Sequence, residues 1–191
     1  MVLNKIRSAI NPILENIGRY FSYSGAPAWI WTLFGLLLSL ISMSFYATQE
    51  PYGALLGGFF FLLSGFMDIV DGAVAKFTNT VSRLGSFIDS TADRLGEVLV
   101  SFGLLIGGWA PPDFVFLMIT FSILVSYVRA KGDSLGLDLK GSGIGERAER
   151  MLVLSFFSIA GYTFYGVIIV STLAIFTFIE RSTIIMRKLR K

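Results

Sequence analysis

The sequence predicts an all-α integral membrane protein, with six transmembrane helices and an N-terminal amphipathic juxtamembrane helix. Three observations carry that expectation. Hydrophobic residues make up 54% of the 191 residues and charged residues only 15%, and the apolar residues gather into runs of roughly 17–25, the length at which a helix crosses a bilayer. Lys and Arg occupy alternate loops between those runs and are missing from the others, which is the positive-inside pattern. Four aspartates, Asp68, Asp71, Asp89 and Asp93, stand at the ends of two of the runs. A carboxylate in hydrocarbon costs at least ~2.5–3.5 kcal/mol, so intramembrane acids are expected to be compensated and functional.

The first element is residues 1–24. Lys5, Arg7, Glu15 and Arg19 interrupt Val2, Leu3, Ile6, Ile10, Ile13, Leu14 and Ile17. That spacing makes one apolar helical stripe and lacks the unbroken apolar core of a cleavable signal. A helix lying in the membrane surface is the expected form. Residues 25–191 are expected to form a single six-helix domain. Its spans are predicted at 28–47, 53–75, 84–107, 113–131, 144–160 and 163–186, with breaks at Gln49-Glu50-Pro51, at Trp109-Ala110-Pro111-Pro112 and at Gly161. No proline falls inside a span core, so continuous helices are expected.

Orientation follows from the cations. Lys5, Arg7 and Arg19 precede the first span; Lys76 and Arg83 lie between the second and third. Arg129, Lys131, Lys140, Arg147 and Arg150 surround the loop between the fourth and fifth, and Arg187, Lys188, Arg190 and Lys191 follow the sixth. The loops after spans one, three and five carry neither Lys nor Arg. Both termini, and all four aspartates, are therefore expected at the cytoplasmic face of the cell membrane.

The chain contains no Cys and no His. That excludes disulfides, thiolate sites and the commonest general base. Any metal must be held by oxygen, which favours Mg²⁺, Mn²⁺ or Ca²⁺. Asp68 and Asp71 are three residues apart and Asp89 and Asp93 four apart, so each pair shares a helix face. A short link should make spans two and three antiparallel neighbours and let the carboxylates converge. Converging carboxylates repel unless cations lie between them, and a two-metal cluster suited to phosphoryl displacement is the expected answer. Gly72, Ala73, Ala75, Gly85 and Ser86 leave room beside the acids, while Lys76 and Arg83 bring positive charge for a phosphate. The same small residues also serve close helix packing.

The string Asp68-x2-Asp71-Gly72-x2-Ala75-Lys76-x8-Gly85-x3-Asp89-x3-Asp93 resembles the signature of the CDP-alcohol phosphotransferase family. That family has Arg where this chain has Lys76, so the charge is kept and a bidentate grip is lost. The family's Pro-Asn opening of the first span is matched only in part, by Pro27-Ala28 with Thr32 further on. The resemblance extends over essentially the whole chain and implies an enzyme that transfers a phosphatidyl-type group from a CDP-lipid (CDP-diacylglycerol or CDP-archaeol) to an alcohol, releasing CMP. It implies that Asp68, Asp71, Asp89 and Asp93 hold two divalent ions, Mg²⁺ or Mn²⁺. Asp93 would also be the catalytic base for the acceptor hydroxyl. Gly72, Ala75, Lys76 and Gly85 would line the CDP-lipid site. It further implies a homodimer among membrane lipids, with no nucleic acid among its partners.

A second stretch addresses the acceptor. Arg129 ends span four, Lys140 sits in a glycine-rich loop, and Arg147 and Arg150 share a face at the start of span five. Cations gathered near helix ends suit a phosphate on the acceptor. Ser126-Tyr127-x-Arg129-Ala130 and Gly143-x2-Glu146-Arg147-x-Glu149-Arg150 are similar to the branch of the family that uses inositol 1-phosphate. There Arg129, Lys140, Arg147 and Arg150 would hold the acceptor phosphate. Glycerol 3-phosphate is the nearest rival acceptor. A divalent-ion transporter is the alternative of another class, although transporter sites tend to lie at broken helices near the bilayer midplane.

Overall fold

The computed structural model describes residues 2–137, 143 and 145–190, with side chains from residue 12 onward. The described residues form seven α-helices in chain order: α1 (Val2–Ser22), α2 (Ala28–Ala47), α3 (Gly53–Phe77), α4 (Arg83–Ile106), α5 (Pro112–Ser134), α6 (Arg147–Ile159) and α7 (Thr163–Leu189). Four of them, α2, α3, α5 and α7, are long and apolar enough to cross a membrane. In these four, between 22% and 44% of the apolar window is buried inside the protein. Large side chains such as Phe34, Phe59, Phe116 and Phe176 face outward. Contiguous apolar surface on this scale needs a nonaqueous neighbour.

The other two helices of the bundle differ for readable reasons. α4 carries Asp89, Asp93, Arg94 and Glu97 within its first 15 of 24 residues. α6 has 13 residues, about 20 Å at the helical rise, short of a hydrocarbon core of about 30 Å. It starts at Arg147, later than the expected 144. Glu149 Oε2 accepts from the Glu146 backbone N–H at 2.8 Å and satisfies an otherwise free donor at that end. The helix stops at Gly161, whose φ of +82° is the left-handed conformation glycine adopts after a helix. Pro112 opens α5 at a position where a missing N–H costs nothing.

The expected direct pairing of spans two and three is corrected by the packing. α3 and α4 barely touch; α2 lies closely against both and holds them apart. The cause is a row of small residues. Ser39 Oγ meets Ser64 Oγ at 2.8 Å, and Ser42 Oγ donates to the Gly57 carbonyl at 2.7 Å. Gly96 and Gly103 of α4 come so close to Ser39 and to the Met43 backbone that a Cβ would collide. Such close contacts are the usual basis of helix association in lipid. Further round the bundle α3 packs on α6, α6 on α7, and α7 on α5.

The apolar core is divided. Tyr46, Phe61, Val100, Leu104, Met118, Leu154 and Val167 form its larger part, where α2, α4 and α6 end and α3, α5 and α7 begin. The smaller part, Leu38, Met67, Val70 and Val74, lies toward the other end and is covered by Ile17 and Phe21 of α1. Buried charge is concentrated toward this second end, the polar end of the bundle, in Asp71, Glu97, Arg150 and Arg181. α1 rests on α3 through Gly18, where a Cβ would lie 2.6 Å from the Ala73 carbonyl oxygen. Gly18→Ala should therefore push α1 off α3 and destabilise the protein by about 1–3 kcal/mol. Thermal unfolding in detergent measures this, and an unchanged midpoint would show that α1 does not dock there.

Candidate active site

α3 and α4 enter the polar end from opposite directions and point their acids into the gap that α2 keeps open. Oxygens of Asp68, Asp71 and Asp89 come within 4.8 Å of one another. Two ionised carboxylates at that separation repel by roughly 3 kcal/mol at an effective dielectric of ~20. Positive charge must offset this. Part of it comes from Arg147 at the start of α6, whose Nη1 lies 2.8 Å from Asp93 Oδ1 and 3.4 Å from Asp68 Oδ2. Asp93 also pairs with Arg94 at 3.2 Å. Asp71 is buried and accepts from Thr32 Oγ1 of α2 at 2.5 Å.

The acids fit a hard divalent cation. Their donors are all oxygen, as Mg²⁺ and Mn²⁺ prefer. Asp89 Oδ1 is buried with no hydrogen-bond partner, an orphaned acceptor that a cation would satisfy. Asp68, Asp71 and Asp89 form the compact group. Asp93, one turn beyond Asp89 on the same face, is joined to Asp68 through Arg147.

The expected donor-site residues meet around one cavity of about 290 Å³. Gly72, Ala75, Lys76 and Gly85 line it together with Asp71, Asp89 and Thr32. Gly72 opens directly onto space, since a Cβ there would meet nothing within 4 Å. Gly85 is held at the start of α4, its N–H donating to Ser82 Oγ at 3.0 Å. Arg83 is exposed and does not line the cavity.

The expected acceptor cations divide. Lys140 lies outside the described residues. Arg129 is half-buried on α5. Arg147 faces the aspartates. Arg150 is buried, its Nη2 on Glu97 Oε1 at 3.0 Å and its Nη1 on the Gly145 carbonyl at 2.6 Å. Three residues to which the sequence pattern assigns no role also lie here: Thr32, Glu97 and Arg181. Arg181 is buried in α7, reaches Glu146 Oε1 at 3.1 Å, and lies close enough to Arg129 and Arg150 for their charges to act on it. An Arg inside an apolar run is itself a legible signal. Glu97 continues the Asp89–Asp93 spacing by one further turn.

An all-helical bundle with apolar spans, this aspartate group and a cavity beside it fits a membrane-embedded phosphotransferase. The chain belongs to the CDP-alcohol phosphatidyltransferase family, whose model matches residues 26–180, and it is an integral membrane enzyme. It is 35% identical over 181 residues to the archaetidylinositol phosphate synthase of Pyrococcus horikoshii, covering 94% of both chains. It is 34% identical over 192 residues to the same enzyme of Methanothermobacter thermautotrophicus, covering 97% of this chain and 92% of that one. The fold matches that of Mycobacterium tuberculosis phosphatidylinositol phosphate synthase, solved in complex with manganese and citrate, with a TM-score of 0.78 and 19% identity over 91% of this chain and 88% of that one. The form with CDP-DAG bound gives 0.77 at 20% identity over 91% and 94%.

Thr32 orients a carboxylate of the candidate cation site, and removing such a partner typically costs 10–100-fold in metal affinity. Thr32→Val should weaken Mn²⁺ binding by about that factor, as read from the free-Mn²⁺ electron paramagnetic resonance signal. Wild-type affinity would show that the hydrogen bond to Asp71 plays no part in holding a cation.

Proposed function

We propose that this protein transfers the lipid phosphate of a CDP-linked lipid to inositol 1-phosphate and releases CMP. The observation that carries this reading is the meeting of Asp71, Asp89, Gly72, Ala75, Lys76 and Gly85 around one cavity, next to an Arg-rich end formed by α5, α6 and α7. The names of the archaeal relatives support the inositol phosphate acceptor, and the CDP-DAG form of the mycobacterial enzyme supports the donor.

In this reading the cytidine and diphosphate occupy the cavity. Gly72 and Gly85 let the nucleotide approach the backbone, and Lys76 neutralises donor phosphate. Asp68, Asp71, Asp89 and Asp93 would hold two Mg²⁺ or Mn²⁺ ions, which when bound supply the positive charge that a diphosphate and its leaving CMP require. Manganese in the mycobacterial relative is consistent with that choice. Arg129 and Arg181, with Lys140 and Arg147, present positive charge to the acceptor phosphate and bring its hydroxyl toward the donor. Arg150 contributes through the backbone that it ties at Gly145. Asp93 takes the hydroxyl proton as the acceptor oxygen bonds to the β-phosphorus. The bond from that phosphorus to the bridging oxygen breaks, and CMP departs with it.

The membrane arrangement belongs to the same proposal. α2 to α7 form the six spans, with α6 a short one whose 13 residues reach only part of the way across the hydrocarbon, and α1 lies in the interface as a separate juxtamembrane element over residues 1–24. The Lys and Arg pattern puts both termini and the site at the cytoplasmic face. Two copies form a homodimer.

Membranes given CDP-lipid and Mg²⁺ should release CMP with inositol 1-phosphate, and far less with free inositol or glycerol 3-phosphate. Preference for glycerol 3-phosphate would overturn the acceptor assignment. Asn in place of any one of the four aspartates should abolish turnover, and activity retained in two of the four would sink the two-ion site. Arg129→Ala should raise the acceptor KM about tenfold or more with the donor KM little changed; a change confined to the donor KM would remove Arg129 from the acceptor pocket.

A further inference from the structure

α4 carries acids of the site and α6 carries Arg147, yet the two helices are not packed backbone to backbone. α4 rests mainly on α2, and α6 on α3 and α7. They share the larger apolar cluster through Val100, Leu104, Met151 and Leu154, and at the polar end long charged side chains join them. Among the described residues the ion pairs between them are Asp93–Arg147, Glu97–Arg147 and Glu97–Arg150. One oxygen, Glu97 Oε1, accepts from Arg150 Nη2 at 3.0 Å and lies 3.9 Å from Arg147 Nε. Arg150 in turn holds the Gly145 carbonyl, and the Gly145 N–H donates to Thr177 Oγ1 of α7 at 3.0 Å. A single carboxylate therefore ties the aspartate helix to α6, to the segment before it and, through that segment, to α7.

Stability alone does not account for this carboxylate. Exchanging a buried ion pair for apolar side chains of similar volume is often neutral or stabilising. The pair here is nearly sealed, with Glu97 9% and Arg150 3% exposed. Glu97 Oε2 and the Nε atoms of Arg147 and Arg150 are buried without hydrogen-bond partners, a further cost of keeping charge at this place. Asp93 cannot serve as the permanent link, because its proposed work requires it to turn to the acceptor hydroxyl. Glu97 is the α4 acid that meets α6 and has no place in the proposed proton transfer.

We propose that Glu97 is a positioning residue, which holds Arg147 and Arg150 in register with the aspartate group and so sets the acceptor side of the site against the donor side. This rests on the acceptor pocket described above. The test uses the full chain in detergent with CDP-lipid and whichever of inositol 1-phosphate or glycerol 3-phosphate the wild-type protein turns over. A wrong acceptor is thereby seen before any variant is made. Glu97→Leu combined with Arg150→Met removes the buried charge pair as a unit. The double variant should keep its unfolding midpoint within a few degrees, raise the acceptor KM about tenfold or more, and leave the donor KM within about twofold. Glu97→Gln keeps an oxygen for Arg150 but loses the charge that draws Arg147, and should raise the acceptor KM in the same selective way. Should the double variant fail to fold, Glu97→Gln decides alone. Wild-type kinetics in a folded double variant would make Glu97 only the counter-charge of Arg150 and overturn the proposal. So would donor and acceptor KM values that rise together, or wild-type values in Glu97→Gln.

Discussion

Carboxylates gathered in an apolar bundle repel one another and forgo hydration, so they persist only where something compensates them. Here much of the architecture does so. Arg147 is drawn across from α6 to bridge Asp68 and Asp93. Thr32 is presented by α2 to Asp71. Glu97 and Arg150 form a second, deeper layer behind that bridge. The start of α6 is therefore placed by charge as well as by apolar packing. Immediately before it, Glu146 and Gly145 stay outside the helix, where Glu146 is capped by Glu149 and Gly145 is held by Arg150.

Division of the core serves the same constraint. The larger apolar cluster lies where α2, α4 and α6 end, away from the acids. Close packing there fixes the helices like the closed end of a clamp. At the other end α2 wedges between α3 and α4, and the gap widens into the cavity bordered by Gly72 and Gly85. The serines and glycines along α2, α3 and α4 thus do two jobs. They let three backbones approach closely in one half and leave an opening between two of them in the other. A conventional Leu-rich seam would have closed the site.

Cations at the polar end separate into two roles once their surroundings are known. Arg150 is enclosed and committed to protein groups, whereas Arg129 is half-buried and Arg147 reaches the acids. Their spacing in the chain is uninformative on this point. Arg147 and Arg150 share a helix face, but three residues of helix move the second side chain about 4.5 Å along the axis and into the bundle. Arg181 joins the group from α7, far along the chain, through Glu146.

The sequence by itself determined that the chain is helical, where the helices break, and the family to which it belongs. Those features depend on local patterns: apolar run length, the three- and four-residue spacing of Asp68–Asp71 and Asp89–Asp93, and turn-forming Pro and Gly. The expected boundaries of α2 coincide with those found, and Gly72, Ala75, Lys76 and Gly85 line one cavity. Only the tertiary structure decided that α2 stands between α3 and α4, that Arg147 pairs with Asp68 and Asp93, and that Thr32 meets Asp71, Glu97 meets Arg150 and Arg181 meets Glu146. These depend on which helix faces meet. Small residues permit many close approaches, and a buried charge chooses its partner by distance in space, which spacing along one helix does not encode.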